Sequence, residues 1–151
     1  MSEVMKGLWI SGYDILKSKE WFEHIAPTHI LNCAEELSPT YLDPTVIVHK
    51  IPLIDDVDEA AVHQILEGAA TLRKWISSES TVVVHCKAGI SRSATVILAW
   101  MILYNSFSYD EAFARLREAR SIVQPNSFYT DILKNLKPLD ANSSSSEEDG
   151  F

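Results

Sequence analysis

Residues 81–104 hold the feature that most narrows what this chain can fold into. Thr81-Val82-Val83-Val84-His85 is dense in β-branched residues, whose stiff side chains suit a buried strand. Five residues later, the run from Ser91 to Tyr104 is apolar on nearly every helical face, as in a helix sunk into a core. A buried strand that turns sharply into a buried helix is the joint of a parallel α/β unit. In such sheets ligands bind beyond the carboxyl ends of the strands, where this turn lies.

The rest of the chain agrees with that joint. Further β-type runs cover residues 7–10, 30–33 and 46–51. Val62, Ile65, Leu66, Ala69, Leu72 and Ile76 recur at helical spacing. Ser108 and Glu111 form a capping box for a helix to about Arg117, and Asn126 or Ser127 caps a last helix to about Leu136. Pro27, Pro39, Pro44, Pro125 and Pro138 fall in the connections. The expectation is an α/β fold: a single domain over residues 1–139 with a central, mostly parallel sheet flanked by helices. Residues 140–151, rich in serine and acid, have nothing to bury and are expected to be a disordered tail, either a plain solvated terminus or a phosphorylatable one.

Length and charge exclude several classes. A chain of 151 residues supports one core and not two. Its net charge is −8; the tail holds four of the 21 acids and no base, leaving 17 acids against 13 bases in residues 1–139. An acidic chain is poorly suited to nucleic acid or to an anionic membrane, so neither is expected as a partner. Two cysteines, Cys33 and Cys86, cannot make a disulfide scaffold or a four-thiolate zinc site. The histidines show no metal spacing, so no metal and no cofactor are expected. The N-terminal residues lack an apolar signal core, and a cytoplasmic or nuclear protein is expected.

The turn itself reads His85-Cys86-Lys87-Ala88-Gly89-Ile90-Ser91-Arg92-Ser93. The first amides of the following helix have no intrahelical acceptors, and the helix dipole adds positive potential there. With the turn amides they form a nest for a tetrahedral oxyanion. Gly89 permits the sharp path. A free cysteine has a pKa near 8.5, so about 3% is thiolate at neutral pH. At a helix N-terminus beside a cation the pKa falls to roughly 3.5–7.5. Cys86 is therefore a candidate nucleophile. Arg92 returns to the mouth of the loop, where a guanidinium holds two phosphate oxygens as a fork and stabilises their charge during transfer.

The string His85 to Thr95 resembles the signature loop of cysteine-based dual-specificity protein phosphatases. It is similar to the mitogen-activated-protein-kinase phosphatase branch and its small atypical relatives. Thr28-His29-Ile30-Leu31-Asn32, Ile51-Pro52-Leu53-Ile54-Asp55 and Pro125-Asn126-Ser127-Phe128 resemble other segments of that family. The resemblance implies a phosphotyrosine-phosphatase-like fold. It implies attack by Cys86 on phosphorus, a phosphocysteine intermediate, and phosphate binding by Arg92 and the amides of Lys87, Ala88, Gly89, Ile90, Ser91 and Arg92. By the same resemblance Ser93 helps the thiolate leave, and His85 supports the loop.

A leaving oxygen needs a proton. Asp55 aligns with the family's general acid, and Asp56 is the alternative, one residue along. Asp58 and Glu59 read as first-turn acids or a cap for a helix beginning near Ala60. Cys33 stands where related lipid phosphatases carry a thiol that traps the oxidised nucleophile; a buried core cysteine is the other reading. Glu35 and Glu36 either repel acidic substrates or lie in a solvated turn. The expected activity is hydrolysis of phosphotyrosine and phosphoserine or phosphothreonine in proteins. The expected partners are phosphoprotein substrates, a protein kinase among them, and the expected state is a monomer. The competing readings are a phosphatase for a phosphoinositide or an RNA 5′-triphosphate, and a non-catalytic phosphoprotein-binding module. With the catalytic body this near Met1, a separate kinase-docking domain like that of the larger phosphatases is not expected before it.

Overall fold

A computed structural model describes residues 1–139; the expectation for the tail lies outside them. The strand of three valines lies at the middle of everything. β5 (Val82–His85) pairs in parallel with β2 (Leu8–Ser11) on one side and β3 (His29–Asn32) on the other, and all four of its residues are buried. β4 (Ile47–Lys50) extends the sheet parallel to β3, and β1 (Ser2–Met5) closes the other edge antiparallel to β2. The order is β1-β2-β5-β3-β4. Strands covered on both faces read as continuous β-branched runs, which is why the 81–85 pattern was legible.

Helices cover both faces. α1 (Lys19–Ile25) and a 3-10 turn (Asp14–Lys17) pack on one side, where Leu16, Phe22, Ile25, Ile30 and Val83 form a small cluster. The larger core lies on the other side, around α3 (Arg92–Asn105), whose residues from Arg92 to Leu103 are all buried. α2 (Ala61–Trp75), α4 (Tyr109–Ala119) and α5 (Ser127–Lys134) complete the described helices. The capping box of Ser108 and Glu111 is present, and Asn126, not Ser127, caps α5.

Three details differ from the sequence reading. β1 and α1 carried no readable pattern: β1 is a four-residue edge and α1 makes only two turns, too few for a period to emerge. α2 begins at Ala61 with Ala60 at its N-cap and no side-chain cap. Asp58 lies two residues before the capping position, and its carboxylate accepts instead from the N–H of Ala60 at 3.4 Å.

The parallel registers align Ser11 and Asn32 with His85. The carboxyl ends of β2, β5 and β3 therefore form one level rim, and the 86–91 loop rises from its middle.

α2 approaches α3 through Gly68, where an added Cβ would stand 2.8 Å from a methyl of Val96. Alanine improves helix propensity by about 1 kcal/mol, but overpacking a full core costs about 1–3 kcal/mol. Gly68→Ala is expected to lower stability by about 1 kcal/mol in urea unfolding; a gain would show that the α2–α3 contact yields freely.

Candidate active site

The loop from Cys86 to Ser91 is held from outside, carbonyl by carbonyl. His85 Nδ1 donates to the Cys86 carbonyl at 3.1 Å. The Tyr13 N–H donates to that of Lys87 at 3.0 Å. Arg120 takes the next two, Nη2 to Ala88 at 3.3 Å and Nε to Gly89 at 2.9 Å. The Gln124 N–H reaches Ile90 at 2.8 Å, and the Thr95 N–H reaches Ser91 at 2.9 Å. A trans peptide plane points its N–H opposite its C=O. Six carbonyls drawn outward therefore turn the N–H groups of residues 87–92 inward. These are the amides the sequence assigned to an oxyanion.

Cys86 sits at the focus. Its Sγ accepts from the Gly89 N–H at 3.2 Å and lies 3.3 Å from Ser93 Oγ. Burial alone would push the thiol up; the Ser93 hydroxyl and the amides of Ser93, Gly89 and Ile90 outweigh it and hold Cys86 below the ordinary thiol range. Gly89 has φ of +72°, and a Cβ there would stand 2.5 Å from the Ser11 carbonyl carbon, so β2 and the loop touch only because glycine separates them.

His85 is fully buried, and burial pushes its pKa down to about 4, against the opposing bond to Cys86. A neutral imidazole whose Nδ1 faces a carbonyl must carry its proton on Nδ1. Nε2 is then the acceptor, and Tyr41 donates its hydroxyl proton there at 2.7 Å. Tyr13 stacks on the same ring with centroids 5.7 Å apart.

Asp55 lies in the cleft with Cys86, Arg92 and Asn126, a space of about 370 Å³. The end of α5 clamps its backbone and its carboxylate. Asn126 Nδ2 donates to Asp55 Oδ1 at 2.9 Å while its Oδ1 caps Tyr129, and the Tyr129 hydroxyl donates to the Ile54 carbonyl. Asp56 does not line the cleft; its Oδ1 accepts from the Val57 N–H at 2.7 Å.

Arg92 is 6% exposed, and its guanidinium is fastened to Glu36 by two bonds of 2.6 and 2.7 Å. Glu36 does lie in a solvent-exposed turn, but its carboxylate is paired with Arg92 and is not a free repelling charge. The Arg92 hydrogen bond holds its carboxyl down at about 2. Cys33 is fully buried at the end of β3, its N–H donating to the His85 carbonyl at 2.7 Å, which brings it beside Cys86. Both thiols are free. Burial, then the charge of Cys86, pushes Cys33 up, so it stays a thiol. Among the described residues no group of three His, Cys, Asp or Glu could hold a metal ion.

Sequence reasoning gave Cys86, Arg92, Ser93, His85 and Asp55 as one constellation, and the structure brings them together. It did not single out Glu36, Tyr41 or Arg120 as part of the site, and it gave Asn126 only a capping role. No spacing rule reaches those residues; only the cap at Asn126 left a signal. A larger groove of about 810 Å³ lies at the opposite ends of β3 and β4, between α1 and residues 42–47. Its lining holds no cysteine and no arginine, so chemistry and not size selects the site.

A buried base with a lowered pKa binds fewer protons than its unfolded form between the two values. Stability contributed by neutral His85 is present above pH 6.5 and is lost as pH falls toward about 4. Thermal unfolding should show that loss, and His85→Gln should flatten it. A wild-type profile without any fall in that window would contradict a buried neutral imidazole.

Comparison with known proteins agrees with the geometry. The family model "Dual specificity phosphatase, catalytic domain" matches residues 8–137. The MAP kinase phosphatase with leucine-rich repeats protein 1 of Dictyostelium discoideum is 32% identical over 134 residues, 89% of this chain but 16% of that protein's own length. This chain therefore spans about a sixth of that relative. The crystal structure of human DUSP28 superposes with a TM-score of 0.78 at 22% identity, covering 88% of this chain and 89% of the other. A mouse putative dual specificity phosphatase, solved in complex with zinc tungstate, gives 0.78 at 25% identity over 88% and 83%. With its signature loop, its sheet order and nearly all of its described residues accounted for, this chain belongs to the dual specificity phosphatase catalytic-domain family.

Proposed function

We propose that this protein hydrolyses phosphate monoesters on proteins, phosphotyrosine together with phosphoserine and phosphothreonine, through a phosphocysteine on Cys86. The observation that carries this reading is the ring of inward N–H groups around a thiol held below its ordinary pKa. The Cys86 thiolate forms the S–P bond as the P–O bond to the substrate breaks. Asp55, in its protonated form, gives its proton to the leaving oxygen. Water then attacks phosphorus, Asp55 takes its proton back, and the S–P bond breaks. The Ser93 hydroxyl, 3.3 Å from Sγ, stabilises the departing thiolate. Arg92 and the amides of residues 87–92 hold the equatorial oxygens throughout. The tungstate in the mouse relative is a tetrahedral oxyanion of the kind this cradle suits.

A protein monoester is favoured over a polyanionic substrate because the site offers few cations. Besides Arg92 one cation, Lys87, lines the cleft; Arg120 is committed to the Ala88 and Gly89 carbonyls, and the chain is net acidic. A protein kinase is one substrate class, in keeping with the name of the Dictyostelium relative. No nucleic acid, membrane or cofactor enters this reading. The proposed working form is a monomer in the cytoplasm or nucleus. No helix among the described residues is long and apolar enough to cross a membrane.

Cys86→Ser should abolish turnover of an aryl phosphate and of phosphopeptides. Asp55→Asn should lower kcat by about 100-fold on phosphoserine and phosphothreonine peptides, whose alkoxide leaving groups need the proton most. Asp56→Asn should stay near wild type. If Asp56→Asn carries the large loss instead, the acid has been misassigned; activity retained in Cys86→Ser would end the covalent mechanism.

Cys33 completes the proposal as a resolving thiol. Peroxide oxidises the Cys86 thiolate to a sulfenic acid, and the Cys33 thiol displaces its hydroxyl as water, closing a disulfide. After excess peroxide and then dithiothreitol, wild type should recover activity, and Cys33→Ser should not, because a second peroxide carries its unprotected sulfenic acid on to the irreversible sulfinic acid. Equal recovery by both would leave Cys33 as a core residue only.

A further inference from the structure

Arg92 has five N–H donors fixed in one plane. Three are engaged within the protein. Nη1 and Nη2 donate end-on to the two oxygens of Glu36 at 2.6 and 2.7 Å, and Nη1 also donates to the Leu53 carbonyl at 3.1 Å. Among the described residues the other two, Nε–H and the second Nη2–H, have no partner. They lie side by side along one edge of the guanidinium, at a spacing that matches two oxygens of a phosphate. With the end committed, that edge is what Arg92 brings to the cleft it shares with Cys86 and Asp55.

The segment carrying Glu36 is itself fixed. Asn32 accepts from the Ala34 N–H through Oδ1 and donates to the Leu37 carbonyl through Nδ2, both at 3.0 Å. The Glu35 N–H donates to Leu53 at 3.0 Å, and Lys50 Nζ donates to the Glu35 carbonyl at 2.8 Å. The Leu53 carbonyl therefore ties both the Glu36 segment and Arg92. A long arginine side chain held this way loses its rotamer freedom on folding, not on binding phosphate.

We propose that Glu36 is a positioning residue, which grips Arg92 by its end and so presets the adjoining Nε–H and Nη2–H pair for the phosphate of the substrate. This inference rests on the phosphatase reading above. Its rival is that Glu36 occupies the guanidinium in place of phosphate and must be displaced.

Wild type, Glu36→Gln and Glu36→Ala are assayed with an aryl phosphate, with vanadate as inhibitor, and by the pH dependence of Cys86 alkylation. Both variants should bind vanadate about tenfold more weakly and lose about tenfold in kcat/KM, with the alkylation midpoint where it is in wild type. In an Arg92→Lys background, where no fork exists to aim, Glu36→Gln should add no further loss of vanadate affinity. Unchanged vanadate binding would overturn the proposal, and tighter binding would establish competition instead. A shifted alkylation midpoint would also overturn it, by showing that the loop as a whole had been disturbed. If wild type itself neither turns over aryl phosphate nor binds vanadate, the phosphatase reading fails first, and the two failures are told apart.

Discussion

The peptide plane couples the outside of the Cys86 loop to its inside. Each carbonyl from Cys86 to Ser91 has a donor behind it, and these donors come from five places: His85, Tyr13 after β2, Arg120 after α4, Gln124 before α5, and Thr95 in α3. The inward ring of N–H groups is therefore a product of the whole fold and not of the loop sequence. The level rim of β2, β5 and β3 sets its height, and glycine at position 89 lets β2 press against it. Dipoles fixed before a charge arrives need no reorganisation when it does, and this is what makes such a ring effective for phosphoryl transfer.

Among the buried ionisable groups that meet here, Cys86, His85 and Arg92 are each settled differently. Burial works against a Cys86 thiolate, but amides and a hydroxyl replace the water it gives up and shift the balance toward the charged form. His85 is instead left neutral, with both ring nitrogens satisfied by Tyr41 and the Cys86 carbonyl. Arg92 keeps its charge, matched by a carboxylate held down at about 2. Leaving such a cation unpaired would cost several kcal/mol. The pairing satisfies the stability requirement at the end of the guanidinium, and Nε–H and one Nη2–H keep no partner among the described residues.

Parts of this were legible because their signals are local. A strand buried on both faces must be β-branched, a central helix must be apolar all round, and a capping box is written in four residues; all three are found where the sequence put them. β1 and α1 were missed because an edge strand and a two-turn helix bury too little to impose a period. The choice between Asp55 and Asp56 was open in sequence, since neighbouring residues in a loop differ only in direction. Asn126 and Tyr129, more than seventy residues away, turn Asp55 toward the cleft.

The sequence by itself determined the strand–turn–helix joint, and with it the placement of Cys86 and Arg92 and the α/β class. Those depend on contacts between residues a few positions apart, where backbone geometry leaves little choice. Only the tertiary structure decided what grips Arg92, what fixes the tautomer of His85 and what pulls the loop carbonyls outward. Glu36, Tyr41 and Arg120 reach the site across separations of 56, 44 and 31–32 positions. Contacts of that range carry no periodicity along the chain. They exist only once the sheet order has brought the ends of β2, β5 and β3 to a common rim.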